Sequence, residues 1–335
     1  MANSLDTFLN YALQIGASDL ILAEGLVPAV RVAGQVRMIP DAPKLEFGDL
    51  ENFLGPLDGE SGAFRGGPWE DIEWRVRYSR EAFGKMATLH PIGLDAPVLA
   101  SLEVPDSVTS LLGACSGIVL FAGPTSSGKT TTASAYVSEL CTKKILRASF
   151  LDPLPEYKMQ TGQSLVKKNR AHVSLADEIA QNVLSGTDLF WLGDLQAESC
   201  VPMLKAAESG ALVVATVNAG SAKDVLTYLL AAETAENKKL AQTLLAANLK
   251  AIVTQRLILS ADQTTLVPAW EVLYNDINIA PLIHTGEYYK VPQAMRSAIS
   301  EGMLPLDDSL LALVKENRIT KDAARLYAVD ESHFL

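Results

Sequence analysis

The chain has 335 residues, with 28 Lys and Arg against 39 Asp and Glu for a formal net charge of -11, and 48% of it is hydrophobic. At roughly 100–200 residues per domain, this length holds two domains, each with a buried core. The acidic balance lacks the basic footprint of a protein that wraps duplex nucleic acid. Cys115, Cys141 and Cys200 stand too far apart to write a zinc site or a disulfide framework, which fits a reducing compartment. The N-terminus, Met-Ala-Asn-Ser-Leu-Asp, has no positive region or cleavage-like site, and no run reaches the roughly 18 uninterrupted apolar residues of a membrane span. A cytoplasmic protein is expected.

In chain order, Leu20-Ile21-Leu22 and Val30-Arg31-Val32 are brief β-prone runs separated by Gly25 and Pro28. Gly66-Gly67-Pro68 punctuates the chain, and Ile72-Glu73-Trp74-Arg75-Val76-Arg77-Tyr78 then alternates apolar and polar residues at period two, the pattern of a half-buried strand. Pro91, Pro97 and Pro105 follow. From Ile118 the pattern becomes apolar strand, turn and long helix, repeated, which predicts a parallel sheet with helices on its faces. Ile118–Ala122, Ile145–Leu151, Leu189–Leu192 and Leu212–Val217 are its expected buried strands, with Trp191 in the core. The C-terminal stretch is rich in Ala and Leu, with helical spacing at Leu240, Leu244, Leu245 and Leu249 and again at Leu310, Leu311 and Val314. It is expected to form a helical cap on the sheet. The pairs Lys143-Lys144 and Lys167-Lys168 read as solvated faces.

Gly123-Pro124-Thr125-Ser126-Ser127-Gly128-Lys129-Thr130 sets two glycines around four residues and follows them with Lys and Thr, the spacing of a phosphate-binding loop. Ile118–Ala122 precedes it as a strand and Thr130–Leu140 follows as a helix, so backbone N–H groups and a helix N-terminus converge on phosphate oxygens. Gly123, Thr125, Ser126, Ser127 and Gly128 form the loop, with Gly128 letting the backbone approach the phosphates, and Thr131 continues it into the helix. Lys129 supplies a point charge toward the β- and γ-phosphates, and the Thr130 hydroxyl ligates Mg2+. ATP and Mg2+ are the expected cofactors. His172, His284 and His333 have no paired ligand spacing, Glu208 reads as a solvated helix residue, and Asp188 either ends a turn or assists Mg2+.

Beyond the loop, several segments carry further motifs: Gly16-Ala17-Ser18-Asp19-Leu20, Gly25-Leu26-Val27-Pro28, Arg31-Val32-Ala33-Gly34, Leu204-Lys205-Ala206-Ala207-Glu208-Ser209-Gly210, Pro268-Ala269-Trp270-Glu271-Val272-Leu273, and Gly302-Met303 with Leu306-Asp307-Asp308-Ser309-Leu310. Over nearly its whole length the chain resembles the PilT-type motor ATPases of type IV pili and type II secretion. The resemblance implies an α/β protein. Residues 1–98 would be a smaller α+β, PAS-like N-terminal domain, and residues 99–335 a RecA-like P-loop NTPase domain with a helical C-terminal region from about residue 275. It also implies a hexameric ring, either a homo-hexamer or one mixed with a paralogous motor ATPase, that binds ATP between subunits to drive pilus retraction. Such a ring docks on an inner-membrane pilus or secretion platform without spanning the membrane.

The sequence departs from the family pattern where chemistry is done. The family's aspartate box flanks Asp-Pro with two glutamates; here Phe150-Leu151-Asp152-Pro153-Leu154-Pro155-Glu156 puts Leu151 at the first and Pro155 at the second, or moves the second to Glu156. Asp152 and Glu156 are the remaining candidates for positioning water. The Walker B strand ends Gly193-Asp194-Leu195, one methylene shorter than the family's glutamate, and Asp194 is the candidate Mg2+ carboxylate beside Thr130. Ala211 and Asn218 stand where the family has histidines, and Asn218 keeps hydrogen-bonding capacity without protonation. Arg75, Arg77 and Arg80 occupy the region whose arginines reach the neighbouring subunit's γ-phosphate, with His90 at the later arginine position; alternation on a strand also places two of the three on one solvent face. Loss of a general base costs ~10²–10⁴ in rate and loss of an arginine finger ~10³–10⁵, so hydrolysis is expected to be weakened and nucleotide binding kept. The alternative is a non-hydrolysing regulatory or structural subunit of the same machinery. A nucleic-acid translocase is disfavoured by the net charge of -11.

Overall fold

The computed structural model describes residues 4–334 except 33, 70, 71, 93, 153, 154, 169–173, 232, 233, 300 and 301. Met1–Asn3, Ala33, Pro153, Leu154 and His172, named above, lie outside the described residues. Two compact units divide the chain: Met1–Asp95 with Leu154–Lys158, and Ala96–Pro153 with Met159–Leu335. The excursion of Leu154–Lys158 into the first unit breaks the simple succession of two domains along the chain.

The first unit opens with α1 (Leu5–Gln14), capped by Ser4, whose hydroxyl accepts from the Thr7 N–H at 3.4 Å. Its Leu5, Phe8, Leu9 and Ala12 fall at helical spacing and are buried. They pack on an antiparallel sheet made of β1 (Asp19–Ala23), β2 (Ala29–Val32), β3 (Gln35–Met38), β4 (Ser61–Trp69), β5 (Ile72–Glu81) and β6 (Gly84–Ile92), in the order β3-β2-β1-β6-β5-β4. A short α2 (Asp49–Leu54) adds Leu50 to the same core. Alternation along the strands sends Leu20, Leu22, Val30, Trp74, Val76 and Leu89 to that core. The residues between them form a charged row on the other face. Arg31 pairs in register with Asp19 and Arg75 with both Arg65 and His90, while Asp19 holds Arg31 Nε and His90 Nδ1, each at 3.2 Å. β7 (Leu94–Asp95) closes the unit by pairing in parallel with Tyr157–Lys158 of the excursion.

The second unit begins with α3 (Asp106–Ser110). Its sheet has seven strands: β8 (Gly117–Gly123), β9 (Arg147–Leu151), β11 (Leu165–Lys168), β12 (Leu189–Asp194), β13 (Leu212–Asn218), β14 (Leu249–Leu259) and β15 (Leu266–Tyr274), the label β10 going to Tyr157–Lys158. The order is β11-β9-β12-β13-β8-β14-β15, parallel throughout except for the antiparallel β14–β15 pair. One face is covered by α4 (Lys129–Lys143), which buries Ala133, Tyr136, Val137 and Leu140 against Val119, Phe121, Trp191 and Val214. The other face carries α5 (Leu175–Leu184), α6 (Cys200–Glu208), α7 (Ala222–Ala231), α8 (Ala235–Asn248), α9 (Ile279–Thr285) and α10 (Val291–Ser297). Pro281 sits in the first turn of α9, where a missing N–H leaves no helix bond unmade. Next come α11 (Leu306–Lys315) and α12 (Lys321–Arg325), packed on Ile258, Val267 and Ala269. Buried Asp307 ties in the chain end by accepting from the N–H groups of Val329 at 2.8 Å and Asp330 at 3.1 Å.

Several local expectations change. Leu249 does not extend a helical cap: it starts β14, and residues 249–274 include a long antiparallel hairpin joined to β8. Strand pairing on both sides of β14 outweighs a composition that suits helices equally well. The strand expected from Ile145 begins at Arg147, and Ile145 is 72% exposed. Lys144 is half-buried rather than part of a fully solvated face; its ammonium donates to the carbonyls of Leu112 at 2.9 Å and Ala114 at 3.1 Å. Lys167 likewise donates to Asn182 Oδ1 at 2.6 Å. No helix among the described residues is long and apolar enough to cross a membrane.

Burial raises the Asp19 carboxyl, but hydrogen bonds from His90 and Ser18 and the charges of His90 and Arg31 outweigh it and hold it below the ordinary value of 3.8. A depressed acid stabilises the fold above its unfolded value and loses that contribution as pH falls through the folded one. Asp19→Asn is therefore expected to cost about 1–3 kcal/mol near neutral pH. It should also flatten the loss of stability below the ordinary value of 3.8, measured by thermal unfolding across an acid series.

Candidate functional site

The strands β9, β12, β13 and β8 all run the same way, so their C-terminal ends meet along one edge of the sheet. This is where ligands bind in open α/β sheets. β8 ends at Gly123, and the loop returns to open α4 with Gly128 as its N-cap. Ser126 at φ 64° and Gly128 at φ 81° are both left-handed, which curls successive N–H groups toward one point. A Cβ on Gly123 would lie 2.2 Å from Ser127 Oγ and 2.5 Å from the Gln255 carbonyl oxygen, so the loop closes this tightly only with glycine there. Lys129 is buried at 9% exposure, and its ammonium reaches the Pro124 carbonyl at 3.5 Å. Thr125 and Ser126 are exposed at the loop tip, and Thr130 and Thr131 are half-buried on the first turn of α4. Ser127 Oγ is buried without a hydrogen-bond partner. An orphaned hydroxyl beneath a cradle of N–H groups suits an anionic oxygen above it.

Gln255 is absent from the residues singled out in the sequence. It is buried on β14, accepts from Thr132 Oγ1 at 2.7 Å, and its Nε2 lies 2.8 Å from where a Cβ on Gly128 would stand. One amide thus supports both the loop's last glycine and the first turns of α4. A glutamine after the β-prone run Ala251-Ile252-Val253-Thr254 was its only sequence signal, and it went unread because this stretch fell inside the region expected to be a helical cap.

The acidic candidates separate. Asp152 follows β9 and lies across Gly193, where a Cβ would meet its Cγ at 2.3 Å, so the glycine lets the carboxylate approach β12. Asp194 ends β12 and accepts a hydrogen bond from Asn218 Nδ2 at 3.0 Å. Asp188 caps the start of β9 instead, accepting from the Arg147 N–H at 2.8 Å. Leu151 and Ala211 are buried in the apolar core at 3% exposure each. Glu156, by contrast, belongs to the first unit, where it is ion-paired with Arg75 at 2.5 Å. Two residues singled out separately are thus partners of one another. Arg80 is exposed and only 4.0 Å from Glu60, and Arg77 carries no ion pair among the described residues. No group of three or more metal-ligating side chains occurs among the described residues. Cys141 is buried, and burial, opposed by a hydrogen bond with Ser164, pushes its thiol up to about 11, out of range for nucleophilic chemistry.

This geometry accords with the comparisons. Residues 100–327, more than half of the chain, match the family described as Type II/IV secretion system protein. The chain belongs to that family. It is 26% identical to the type IV pilus ATPase PilU of Pseudomonas aeruginosa, over 96% of this chain and 88% of that one. It is also 26% identical to the type IV pilus retraction ATPase PilT of the same organism, over 95% and 96%. A crystal structure of the pilus retraction motor PilT with bound ADP superposes with a TM-score of 0.78 at 23% identity, covering 98% of each chain. The fold of this family member is therefore the RecA-like ATPase fold of PilT, preceded by an antiparallel-sheet domain.

Two measurements test the local reading. Gln255→Leu leaves the Thr132 hydroxyl unpaired in the interior and is expected to cost about 1–3 kcal/mol, read from denaturant unfolding, whereas Gln255→Glu keeps the acceptor. A double-mutant cycle over Arg75→Gln and Glu156→Gln should return a coupling of about 0.5–3 kcal/mol; zero coupling would remove the ion pair from the account of the first unit.

Proposed function

We propose that this family member is a PilT-like, ATP-binding motor ATPase of a type IV pilus, or of a related secretion machine, with weakened hydrolysis. The observation that carries the reading is the loop itself: left-handed Ser126 and Gly128 open onto the N-terminus of α4 with Lys129 folded against them. The printed functions of PilU and PilT support it. Loop N–H groups would hold the phosphates, Lys129 would neutralise the β- and γ-phosphates, and Thr130 with Asp194 would hold Mg2+. Bound there, Mg2+ offsets charge on the phosphate oxygens. Asp152, which lies across Gly193 at the end of β9 in the second unit, is the acid assigned to orienting water; Glu156 is ion-paired with Arg75 in the first unit. Arg77 is the arginine best suited to reach a neighbouring subunit's phosphate. A hexameric ring, uniform or mixed with a paralogous motor ATPase, would act in the cytoplasm on the inner-membrane platform.

A non-hydrolysing regulatory or structural subunit is the second reading. It is favoured by the burial of Leu151 and Ala211 in the apolar core, which leaves no polar group where the resemblance places a glutamate and a histidine. Equilibrium ATP binding and steady-state phosphate release on the same protein decide between the two, with Lys129→Ala as the blank. Binding lost in Lys129→Ala, with wild-type turnover above that blank but ~10²–10⁴ below a motor with its full base, supports the weakened enzyme. Binding without turnover supports the accessory subunit, and no binding overturns both.

A further inference from the structure

The Asp194 carboxylate is placed by an irregularity in its strand. Up to Leu192, β12 pairs with β13 in regular register, Leu192 opposite Ala215; then Asp194, not Gly193, stands opposite Thr216. Gly193 is an inserted residue, a β-bulge, and its carbonyl accepts from the Thr216 hydroxyl while the Leu195 N–H bonds the Thr216 carbonyl at 2.9 Å. A slip of one residue turns a strand's side chains to the other face of the sheet. Phe190 and Leu192 pack on the α6 face, so unbroken alternation would aim Asp194 there too. With the bulge, Asp194 shares the face of Val214 and Thr216, the face that α4 covers.

Asn218 meets the carboxylate on that face. It follows Val214 and Thr216 at period two on β13, is in register with Gly123 on β8, and donates from Nδ2 to Asp194 Oδ1 at 3.0 Å. Toward a carboxylate the amide bonds only through its N–H group, which fixes its orientation. Asn218 therefore bridges the strand bearing the acid and the strand bearing the loop. Asp152 lies across Gly193 beside this acid, Lys129 opens α4, and just beyond Asn218 the Arg256 guanidinium donates to the Gly220 carbonyl at 2.9 Å while Glu271 accepts from the Ala222 N–H at 2.7 Å.

We propose that Asn218 is a positioning residue that aims the bulge-turned Asp194 carboxylate toward the loop by a hydrogen bond whose donor does not titrate. This deepens the ATPase reading and rests on it. A neutral amide offers the same donor across the pH range in which an imidazole changes charge.

The test uses the full chain. In protein labelled with ¹⁵N-asparagine, the Asn218 side-chain signal, identified by its loss in Asn218→Ala, should move in Asp194→Ala, where its acceptor is gone. Asn218→Ala is expected to weaken Mg2+ affinity in the presence of ATP by ~10–100-fold, the usual effect of removing a ligand's hydrogen-bond partner, and to leave metal-free ATP affinity unchanged. Asn218→Leu, which fills similar space without the donor, should weaken Mg2+ affinity to the same extent. An Asn218 signal indifferent to Asp194, or wild-type Mg2+ affinity in both Asn218→Ala and Asn218→Leu, overturns the proposal. A responsive Asn218 signal in a wild-type protein that binds no ATP overturns the ATPase reading and leaves the hydrogen bond standing.

Discussion

The position of β8 between β13 and β14 governs the second unit. Both neighbours run parallel to it, so its last residue is held from two sides at the moment the chain must turn. Gly123 touches Ser127 on one side and Gln255 on the other, and the turn has little room to relax. Rigidity at this point sets the start of α4, and with it the direction in which its unpaired N–H groups face. Displacing β14 would move Gln255, then Thr132 and Gly128, before any residue of the loop itself changed.

Legibility in the sequence followed chemistry more than composition. Apolar runs such as Ile118–Ala122 and Leu212–Val217 sit within β8 and β13, because only central parallel strands bury both faces of so short a run. The loop was legible because its spacing is dictated by phosphate. The hairpin of β14 and β15 was not, since Leu and Ala serve helix and strand alike and the pairing that decides between them is long-range. Gln255 was hidden for the same reason. The Arg75–Glu156 pair joins segments widely separated in sequence, and no local pattern announces such a contact. Asp194 was visible as an acid at a strand end, but the bulge that turns it appears only in the register with β13.

The departures from the family pattern fall into two kinds. Leu151 and Ala211 became part of the core and share an apolar cluster with Leu192, Val213 and Ala215. A buried charge there would carry a large desolvation penalty without a partner. Asp194 and Asn218 are polar, exposed and bonded to each other.

The excursion of Leu154–Lys158 also bears on inheritance. The chain passes between its units after Asp95, leaves again after Pro153 and returns at Met159, so the smaller unit is stitched to the larger one by three passages. Its short strand pairs with Leu94–Asp95 and its glutamate balances Arg75. A recombination event that exchanged only the first ninety-odd residues would deliver a sheet with an uncompensated arginine and leave behind a strand with nothing to pair. The first unit can be exchanged intact only if the segment next to Asp152 travels with the N-terminal residues it pairs with.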